Sequence, residues 1–424
     1  MSELTISVSD PKSEGSLSDG HITYRVNSTS TSFLPKFANE STVVRRYNDF
    51  CWLSEVLSLT VSGCIIPSLP PKQASGRFGS DFVHARRKAL EKFLQKIANH
   101  KELIKSEYFQ HFLEANDNEL KDIIRASQSL KPNVLNGLTD AIKSKWNSLG
   151  SLGSSTKNTI SSTEYDNDSN AIAVDEILEY IINIENIISK LLDTTTILTD
   201  RSRKASHSFR DISSNFESYG VSEGDELGTM LYNVGNKFDD MANTTGIHAS
   251  SQIEMLVEPL SEYLRTLASV KNAIVQRSNK RQIYVQELIN LETLNMSYTK
   301  LLGQPGKDVQ AQTKQKNIDI LIIKINNIKT EFEQMTVRLL KDFQEFQLQK
   351  SLSMENIINS FVDLQMQYHQ DSAISWDQVT SIINDGEEKG NGNGNGNDNM
   401  TNSTSNAEHV NAKVEDEEEE YTSI

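Results

Sequence analysis

The sequence predicts two domains of different fold class. The first is an α+β domain made of a three-stranded antiparallel meander plus helices, and the second is an all-α three-helix coiled coil. Up to about residue 116, short segments of weakly alternating polarity are separated by turn residues and followed by short amphipathic helices. From about residue 173 to residue 384, apolar residues recur at steps of three and four, which is typical of long packed helices.

The meander is predicted from three segments. Residues 3–10 and 21–28 alternate weakly in polarity, and a turn rich in Gly, Ser and Asp separates them at 13–20. The third strand contains Val43–Phe50, and a helix is expected to start at Trp52 and Leu53. The consecutive β-branched residues of the third strand favour an extended backbone.

Two more helices are predicted in the first domain. A helix with Arg86–Lys88 in its first turns is amphipathic, and its core-facing positions are Leu90, Phe93, Leu94 and Ile97. A short apolar helix at Glu107–Leu113 closes the domain near residue 116.

Three cationic elements of this domain are able to converge. Arg45, Arg46 and Tyr47 stand at a predicted strand end, a proline-rich loop runs from Pro67 to Lys72, and the third cluster is Arg86–Lys88. Because guanidinium forks match pairs of phosphate oxygens, the pattern indicates a multiply charged anion, best an inositol phosphate headgroup. A solvated charged face is the favoured interpretation of Arg45, Arg87 and Lys88 taken singly.

In the order and spacing of these elements the chain resembles the phox-homology (PX) domain of sorting nexins. The resemblance implies binding of phosphatidylinositol 3-phosphate in the endosomal membrane. It also implies a role for each residue that matches the motif. Arg46 would bind the 3-phosphate, Tyr47 would pack on the inositol ring, Lys72 would reach the 1-phosphate and Arg86 would bind ring hydroxyls.

Residues 117–170 are predicted to be a linker that contains an amphipathic helix at 134–149. Its apolar stripe consists of Leu135, Leu138, Ile142, Trp146 and Leu149. Such a stripe either docks on a neighbouring domain or lies in a lipid interface with Trp146 at headgroup level. In related sorting nexins an amphipathic helix at this place inserts into the bilayer, which favours membrane insertion.

The region 171–384 contains three predicted helices. The first ends at Gly220–Gly224, and the second runs from Glu226 to Leu302 with bends at Gly246 and Pro259. A tight reversal at Gly303–Gly306 precedes the third helix. The inward positions expected for the first helix are Ile177, Ile181, Ile184, Ile188, Leu191, Leu198, Ala205, Phe209, Ile212 and Phe216.

This helical region resembles the BAR domain of the same sorting nexins. The similar segments are Glu258–Leu264, Ser269–Lys271, Gln282–Tyr284 and Phe343–Phe346, together with Trp376. The resemblance implies a homodimer, or a heterodimer with another BAR-type sorting nexin, whose basic concave face binds curved anionic membrane. The candidate basic residues are Lys271, Arg277, Lys280, Arg281, Lys324, Lys329, Arg338 and Lys341.

The charge distribution limits that interpretation. The 424-residue chain has a net charge of −16, and the acidic tail at 385–424 contains eleven acidic residues against two lysines. Residues 1–115 contain fourteen basic and twelve acidic groups, so this domain suits an anionic surface best. The tail is predicted to be disordered, and a solubilising role is favoured over an acidic docking peptide.

No motif of an enzyme or of a cofactor site is found. The eight histidines lack metal-ligand spacing, and neither a phosphate-binding loop nor a nucleophile elbow occurs. The only cysteines, Cys51 and Cys64, lie in apolar stretches and are expected to be buried thiols of a reduced compartment. We therefore expect no metal, no cofactor, no nucleic-acid partner and no enzymatic activity.

These observations predict a peripheral membrane protein. No basic segment followed by an apolar run is found at the start, and no apolar run is long enough to span a membrane. The resemblance implies a cytoplasmic protein on the cytosolic face of endosomes that acts in tubule-based cargo retrieval. Its further partners would be retromer or autophagy components. The alternative is a coiled-coil adaptor whose first domain binds a protein instead of a lipid.

Overall fold

The computed structural model describes residues 4–14, 20–31, 36–72, 80–130, 170–302 and 304–390. These residues form two compact units. The first unit lies within Met1–Ser208 and Ala242–Ser372, and the second within Phe209–Met241 and Ala373–Ile424. The predicted amphipathic helix at 134–149 and the tail beyond residue 390 lie outside the described residues.

The first domain is built on a three-stranded antiparallel meander, as predicted. Strands β1 (Leu4–Glu14), β2 (His21–Ser30) and β3 (Glu40–Arg46) lie in this order, and Val26 of β2 pairs with Val8 on one side and Val43 on the other. Alternate residues of the strands are buried, which places one face of the sheet on the core.

Helices cover this buried face. They are α1 (Tyr47–Thr60), α2 (Ser80–Asn99), α3 (Glu107–Glu114) and α4 (Asp117–Ser127). Two short 3₁₀ turns lie at Leu103–Lys105 and Gln128–Leu130. The residues predicted to face the core from α2 are buried, namely Leu90, Phe93, Leu94 and Ile97. The indole N–H of Trp52 donates to the Ser127 hydroxyl at 2.9 Å, which packs α4 on this domain.

The prediction that the third strand continues to Phe50 was wrong. The strand ends at Arg46, and α1 begins at Tyr47. The Asp49 carboxylate accepts the backbone N–H of Arg46 at 2.8 Å, and an acidic residue in the first turn also favours the helix dipole. Asp49 therefore favours a helix start at Tyr47, five residues before the predicted start at Trp52.

Long helices follow from residue 171. They are α5 (Ala171–Glu223), α6 (Glu226–Gln252), α7 (Glu258–Thr299) and α8 (Asp308–Gly390), and a π-helical turn, Ile253–Val257, joins α6 to α7. Gly224 and Gly306 adopt the left-handed conformation in the connections after α5 and before α8. Among the described residues, none of the helices combines the length and apolarity that a membrane span requires.

The predicted bend at Gly246 was wrong, since α6 is continuous there. An added Cβ at Gly246 would lie 3.2 Å from the Ser206 hydroxyl, so this glycine allows close approach of α5 instead. The irregularity near Pro259 is the π-helical turn just before it. It accommodates the proline, which cannot donate to the preceding turn.

In the first unit, α7 and α8 pack as antiparallel neighbours. Lys280 pairs with Glu331, Lys324 with Glu287 at 2.7 Å, and Lys314 donates to the Ser297 hydroxyl at 2.9 Å. In these pairs the residue numbers rise along α7 as they fall along α8, which confirms the reversal predicted at 303–306.

The second unit has its own small core around Phe238, whose ring stacks on Phe216 and meets Trp376 edge to face.

The inward stripe predicted for α5 was wrong in its central part. Leu191, Leu198 and Ala205 are exposed, whereas Thr195, Thr199 and Ser206 are buried. The Ser206 hydroxyl donates to the carbonyl of Ala242 at 2.7 Å. Small hydroxyl residues occupy this contact because they let neighbouring helices approach closely. Their hydroxyl groups donate to backbone carbonyl groups and so are not left without a partner.

Candidate functional site

The candidate site lies where β3, α1, the proline-rich loop and α2 meet. The Tyr47 hydroxyl donates to the carbonyl of Pro70, and Nη2 of Arg86 donates to the carbonyl of Pro71 at 3.1 Å. These two bonds hold the loop that ends at Lys72 against α1 and α2. The structure thus brings together Tyr47, Arg86 and the backbone leading to Lys72, with Arg46 next to Tyr47 in the chain.

Arg86 is the buried cation of this site. Its guanidinium lies 4.4 Å from the ring centre of Tyr47 and 4.2 Å from that of Phe82, so it makes cation–π contacts with two aromatic rings. Its Nε is buried without a hydrogen-bond partner among the described residues. Burial raises the pKa of the nearby Tyr24 hydroxyl, and the charge of Arg86 and its hydrogen bonding to this hydroxyl oppose that effect.

The other two candidate cations are exposed. The Arg46 side chain is about half exposed, and its Nε lies 3.5 Å from Asp49 Oδ1. Lys72 is exposed at the end of the loop. Burial raises the pKa of the half-buried Cys51 thiol, and the charge of Lys72 partly offsets this increase. Arg46 and Lys72 are therefore accessible cations, whereas Arg86 is buried against Tyr47, whose own pKa is raised chiefly by burial.

The interpretation of Arg45 as a solvated charge was wrong. Arg45 is fully buried, and it donates from Nε to the Phe112 carbonyl at 2.8 Å and from Nη2 to the Ala115 carbonyl at 2.5 Å. Its guanidinium also lies 5.5 Å from the Phe112 ring. Since successive strand residues point to opposite faces, Arg45 joins β3 to α3 while Arg46 faces outward.

Arg87 and Lys88 differ from each other. Arg87 is partly buried and donates to the carbonyl of Val8 at 2.6 Å, so it supports β1 and is not a solvated charge. Lys88 is exposed, as expected, and its Nζ lies 3.8 Å from Glu254. The structure gives neither residue a place beside Tyr47.

The expected basic residues of the helical region are mostly engaged within the chain. Lys271 pairs with Glu185 at 2.7 Å, and the buried Arg277 donates to the Thr336 hydroxyl at 2.8 Å. Arg338 donates to the Ser62 carbonyl at 3.3 Å. These contacts leave little of the predicted basic set available as a free cationic face.

A cluster that the sequence analysis missed lies between the first domain and α8. Asp342 accepts the backbone N–H of Ile65 at 2.9 Å and lies 3.0 Å from Nε2 of His100. Cys64 stands beside them, and the ligand-type atoms of these three side chains all lie within 4.8 Å of one another. Burial, with Asp342 adding to it, raises the pKa of the Cys64 thiol to about 12.

The hydrogen bonds of this cluster oppose metal binding. Nδ1 of His100 accepts the backbone N–H groups of Glu102 and Leu103, both at 3.2 Å. The proton of the neutral ring therefore stands on Nε2, which donates to Asp342 and has no lone pair for an ion. The trio thus acts as a hydrogen-bonded contact that holds the first domain on α8.

Two family models match most of the described chain. Residues 36–116 match the PX domain, and residues 147–381, more than half of the chain, match the model described as Vps5 C terminal like. "Sorting nexin 1" of Arabidopsis thaliana is 28% identical over 381 residues, which cover 88% of this chain and 90% of the relative. "Sorting nexin-1" of Homo sapiens is 25% identical over 395 residues, which cover 88% of this chain and 71% of the relative.

A solved structure has the same fold. The cryo-EM structure of the SNX-BAR Mvp1 tetramer superposes with a TM-score of 0.60 at 17% identity, covering 89% of this chain and 100% of that chain. A PX domain joined to a BAR-like helical region implies membrane binding and curvature. From the two matched domains and the shared fold, we conclude that the chain belongs to the sorting nexins of the PX-BAR type.

Proposed function

We propose that this protein binds phosphatidylinositol 3-phosphate on the cytosolic face of endosomal membranes. The binding residues would be Arg46, Tyr47, Lys72 and Arg86. The observation that carries the proposal is the arrangement of Arg86, whose buried Nε lacks a hydrogen-bond partner among the described residues while its guanidinium lies against the rings of Tyr47 and Phe82. A buried charged donor left without a partner is costly, and an anionic or hydroxyl-bearing ligand would satisfy it.

The separation of the cations supports a ligand with more than one charged group. Arg46 and Lys72 are exposed and follow different elements, β3 and the proline-rich loop, while Arg86 lies deeper on α2. A headgroup that bears two phosphates at separate positions of a hydroxylated ring would use all three. Arg46 would take one phosphate, Lys72 the other, and Arg86 the ring hydroxyls.

The helical region would add dimerisation and curvature. Large apolar side chains are exposed on α5 and α8 in the first unit, including Ile187, Ile197, Ile320, Ile323, Leu348 and Leu352. Their number supports burial against a second chain, either the same protein or another BAR-type sorting nexin. Insertion of Leu135, Leu138, Ile142, Trp146 and Leu149 into the bilayer would add a further contact.

In this account the protein retrieves cargo from endosomes through tubules that the dimer senses or stabilises. Headgroup binding, helix insertion and dimerisation would each contribute modestly to membrane affinity. Because all three are linked in one dimer, their combined effect on affinity would be multiplied. Its partners in this role would be retromer components or autophagy components.

A localisation experiment separates this proposal from the adaptor alternative. Arg46→Ala removes an exposed side chain, and the tagged variant should leave endosomes and become diffuse if the lipid is the anchor. Arg203→Gln, which removes an exposed cation of α5, is the charge-matched control and should stay on endosomes. Retention of Arg46→Ala on endosomes would favour a protein anchor instead.

A further inference from the structure

We infer that Arg265 of α7 is a fourth cation of the headgroup site, supplied to the PX domain by the helical region. This inference rests on the proposed function, because it adds a phosphate contact to the same site. Its consequence is that both domains read the lipid headgroup together.

Arg265 lies on the stripe of α7 that faces the PX domain. Lys92 and Lys96 of α2 pair with Glu262 at 2.7 and 2.9 Å. Further along, Asn272 and Gln276 donate to the Ser58 hydroxyl at 3.3 and 2.5 Å. Steps of three and four residues connect Glu262, Arg265, Ser269, Asn272 and Gln276, which places them on one face of a helix. The opposite face, with Tyr263 and Leu267, is buried in the helical core.

The same contacts place Arg265 beside the start of α1. Ser58, near the end of α1, meets α7 at Asn272 and Gln276. Tyr47 precedes Ser58 by three turns on the same side of α1, and Arg265 precedes Gln276 by three turns on α7. These two equal spacings match a position of Arg265 level with Tyr47. Its positive charge also opposes the burial that raises the pKa of the Tyr47 hydroxyl.

Arg265 has an unused donor at this place. Its Nε is buried and has no hydrogen-bond partner among the described residues. Nε of Arg86, whose guanidinium lies 4.4 Å from the ring centre of Tyr47, is in the same state. Two unpartnered guanidinium donors beside one tyrosine form a site in which phosphate oxygens would satisfy both.

The test is titration of the full-length protein with soluble inositol 1,3-bisphosphate, followed by flotation with two kinds of vesicle. One vesicle contains phosphatidylinositol 3-phosphate, and the other contains only phosphatidylserine at matched charge. Arg265→Gln should weaken binding of the soluble headgroup and of the 3-phosphate vesicle about tenfold. Arg265→Lys should lose less because it keeps the charge, and Arg203→Gln should bind like the wild type.

A purely structural role for Arg265 would give another pattern. Glu262→Gln weakens the contact between α2 and α7 but leaves Arg265 in place, so it should bind the headgroup nearly as well as the wild type. An equal loss in Glu262→Gln and Arg265→Gln would overturn the inference. Loss on both kinds of vesicle with unchanged binding of the soluble headgroup would overturn it too, since Arg265 would then contact the bilayer surface.

The two failures are distinguishable. If Arg46→Ala abolishes headgroup binding while Arg265→Gln binds like the wild type, the proposed function stands and this inference is wrong. If the wild type binds neither the soluble headgroup nor the 3-phosphate vesicle, the proposed function is wrong and the inference falls with it.

Discussion

Arg45 and Arg46 are consecutive residues of β3 whose side chains leave the strand on opposite faces. Arg45 is buried under α3 and holds the carbonyls of Phe112 and Ala115, whereas Arg46 is half exposed beside Tyr47. Burial lowers the pKa of Arg45, and the carboxylates of Asp49 and Asp117 oppose this effect. One arginine is therefore a structural residue and the other is available to a ligand.

Arg45→Ala should destabilise the PX domain by about 3 kcal/mol. The change leaves buried carbonyl groups without donors, at about 1–3 kcal/mol for each unsatisfied group. Urea unfolding measures the effect, and Arg46→Ala is the matched control, with an expected change within about 0.5 kcal/mol. Equal destabilisation by both substitutions would contradict the division of roles.

Glu262 links α7 to α2 through two lysines, and its pKa gives the contact a pH dependence. Burial raises the pKa of this carboxyl, but the hydrogen bonds and charges of Lys92 and Lys96 outweigh burial and bring it below the ordinary value of 4.5. A carboxyl with a lowered folded-state pKa stabilises the fold above its unfolded-state value. The contribution is lost as the pH falls through the folded-state pKa.

The difference in unfolding free energy between wild type and Glu262→Gln should therefore be largest above pH 4.5 and should shrink below it. Denaturant unfolding of both proteins between pH 7 and pH 3 measures this difference. A difference that stays constant over the whole range would show that the Glu262 charge does not stabilise the contact.

At the scale of elements, the connection after α1 fixes how the PX domain contacts α8. Gly63 adopts φ +88°, and a Cβ there would lie 2.6 Å from the Met335 carbonyl oxygen. Ser62 and Ile65 on either side bond to Arg338 and Asp342. This short segment thus meets the backbone of α8 directly, with no space for a side chain.

Gly63→Ala should destabilise the protein by about 2 kcal/mol or more, because left-handed backbone strain and a collision with a helix backbone add together. Gly306→Ala is the matched control: Gly306 has φ +76° but nothing within 4 Å of an added Cβ. Gly306→Ala should therefore lower the free energy of unfolding by only about 1 kcal/mol. Thermal or urea unfolding distinguishes the two, and equal costs would argue against the close approach to α8.

The local features of this protein could be predicted from the sequence. Strand alternation and the core face of α2 depend on spacing within short segments, whereas the roles of Arg46, Tyr47, Lys72 and Arg86 follow from the family resemblance and stay a prediction. The burial of Arg45 could not be predicted, because its acceptors lie 67 and 70 residues away. Asp342 was missed for the same reason, since 242 residues separate it from His100. Arg265 resembles any solvated helix charge until the packing of α1 on α7 is known.

At the scale of the whole molecule, charge and exposed apolar surface indicate how the protein would meet a membrane. The net charge is −16, and several lysines and arginines of α7 and α8 are engaged within the chain, such as Lys280, Lys324 and Arg277. The BAR-type region therefore offers few free cations to an anionic bilayer. We infer that membrane affinity depends chiefly on the headgroup site and that the helical region contributes by dimerisation.

The dimer interface has its own test. Leu348 and Leu352 stand one helical turn apart on α8 and are 69% and 64% exposed. Changing both to Asp should convert a sedimenting dimer into a monomer, because an interface would have to bury two unpaired charges. Val309→Asp, at a site that is 77% exposed near the start of α8, is the control and should remain dimeric. Dimers in both variants would place the interface elsewhere.

The central claim, that Arg46 belongs to a site selective for the 3-phosphate lipid, is tested most directly by flotation. Wild type and Arg46→Ala are mixed with liposomes that differ only in the position of the phosphate on a monophosphorylated phosphoinositide. We expect the wild type to float with the 3-phosphate lipid and Arg46→Ala to remain at the bottom. Equal flotation of the wild type with all the lipids, or with none, would contradict the claim and favour the protein-binding adaptor.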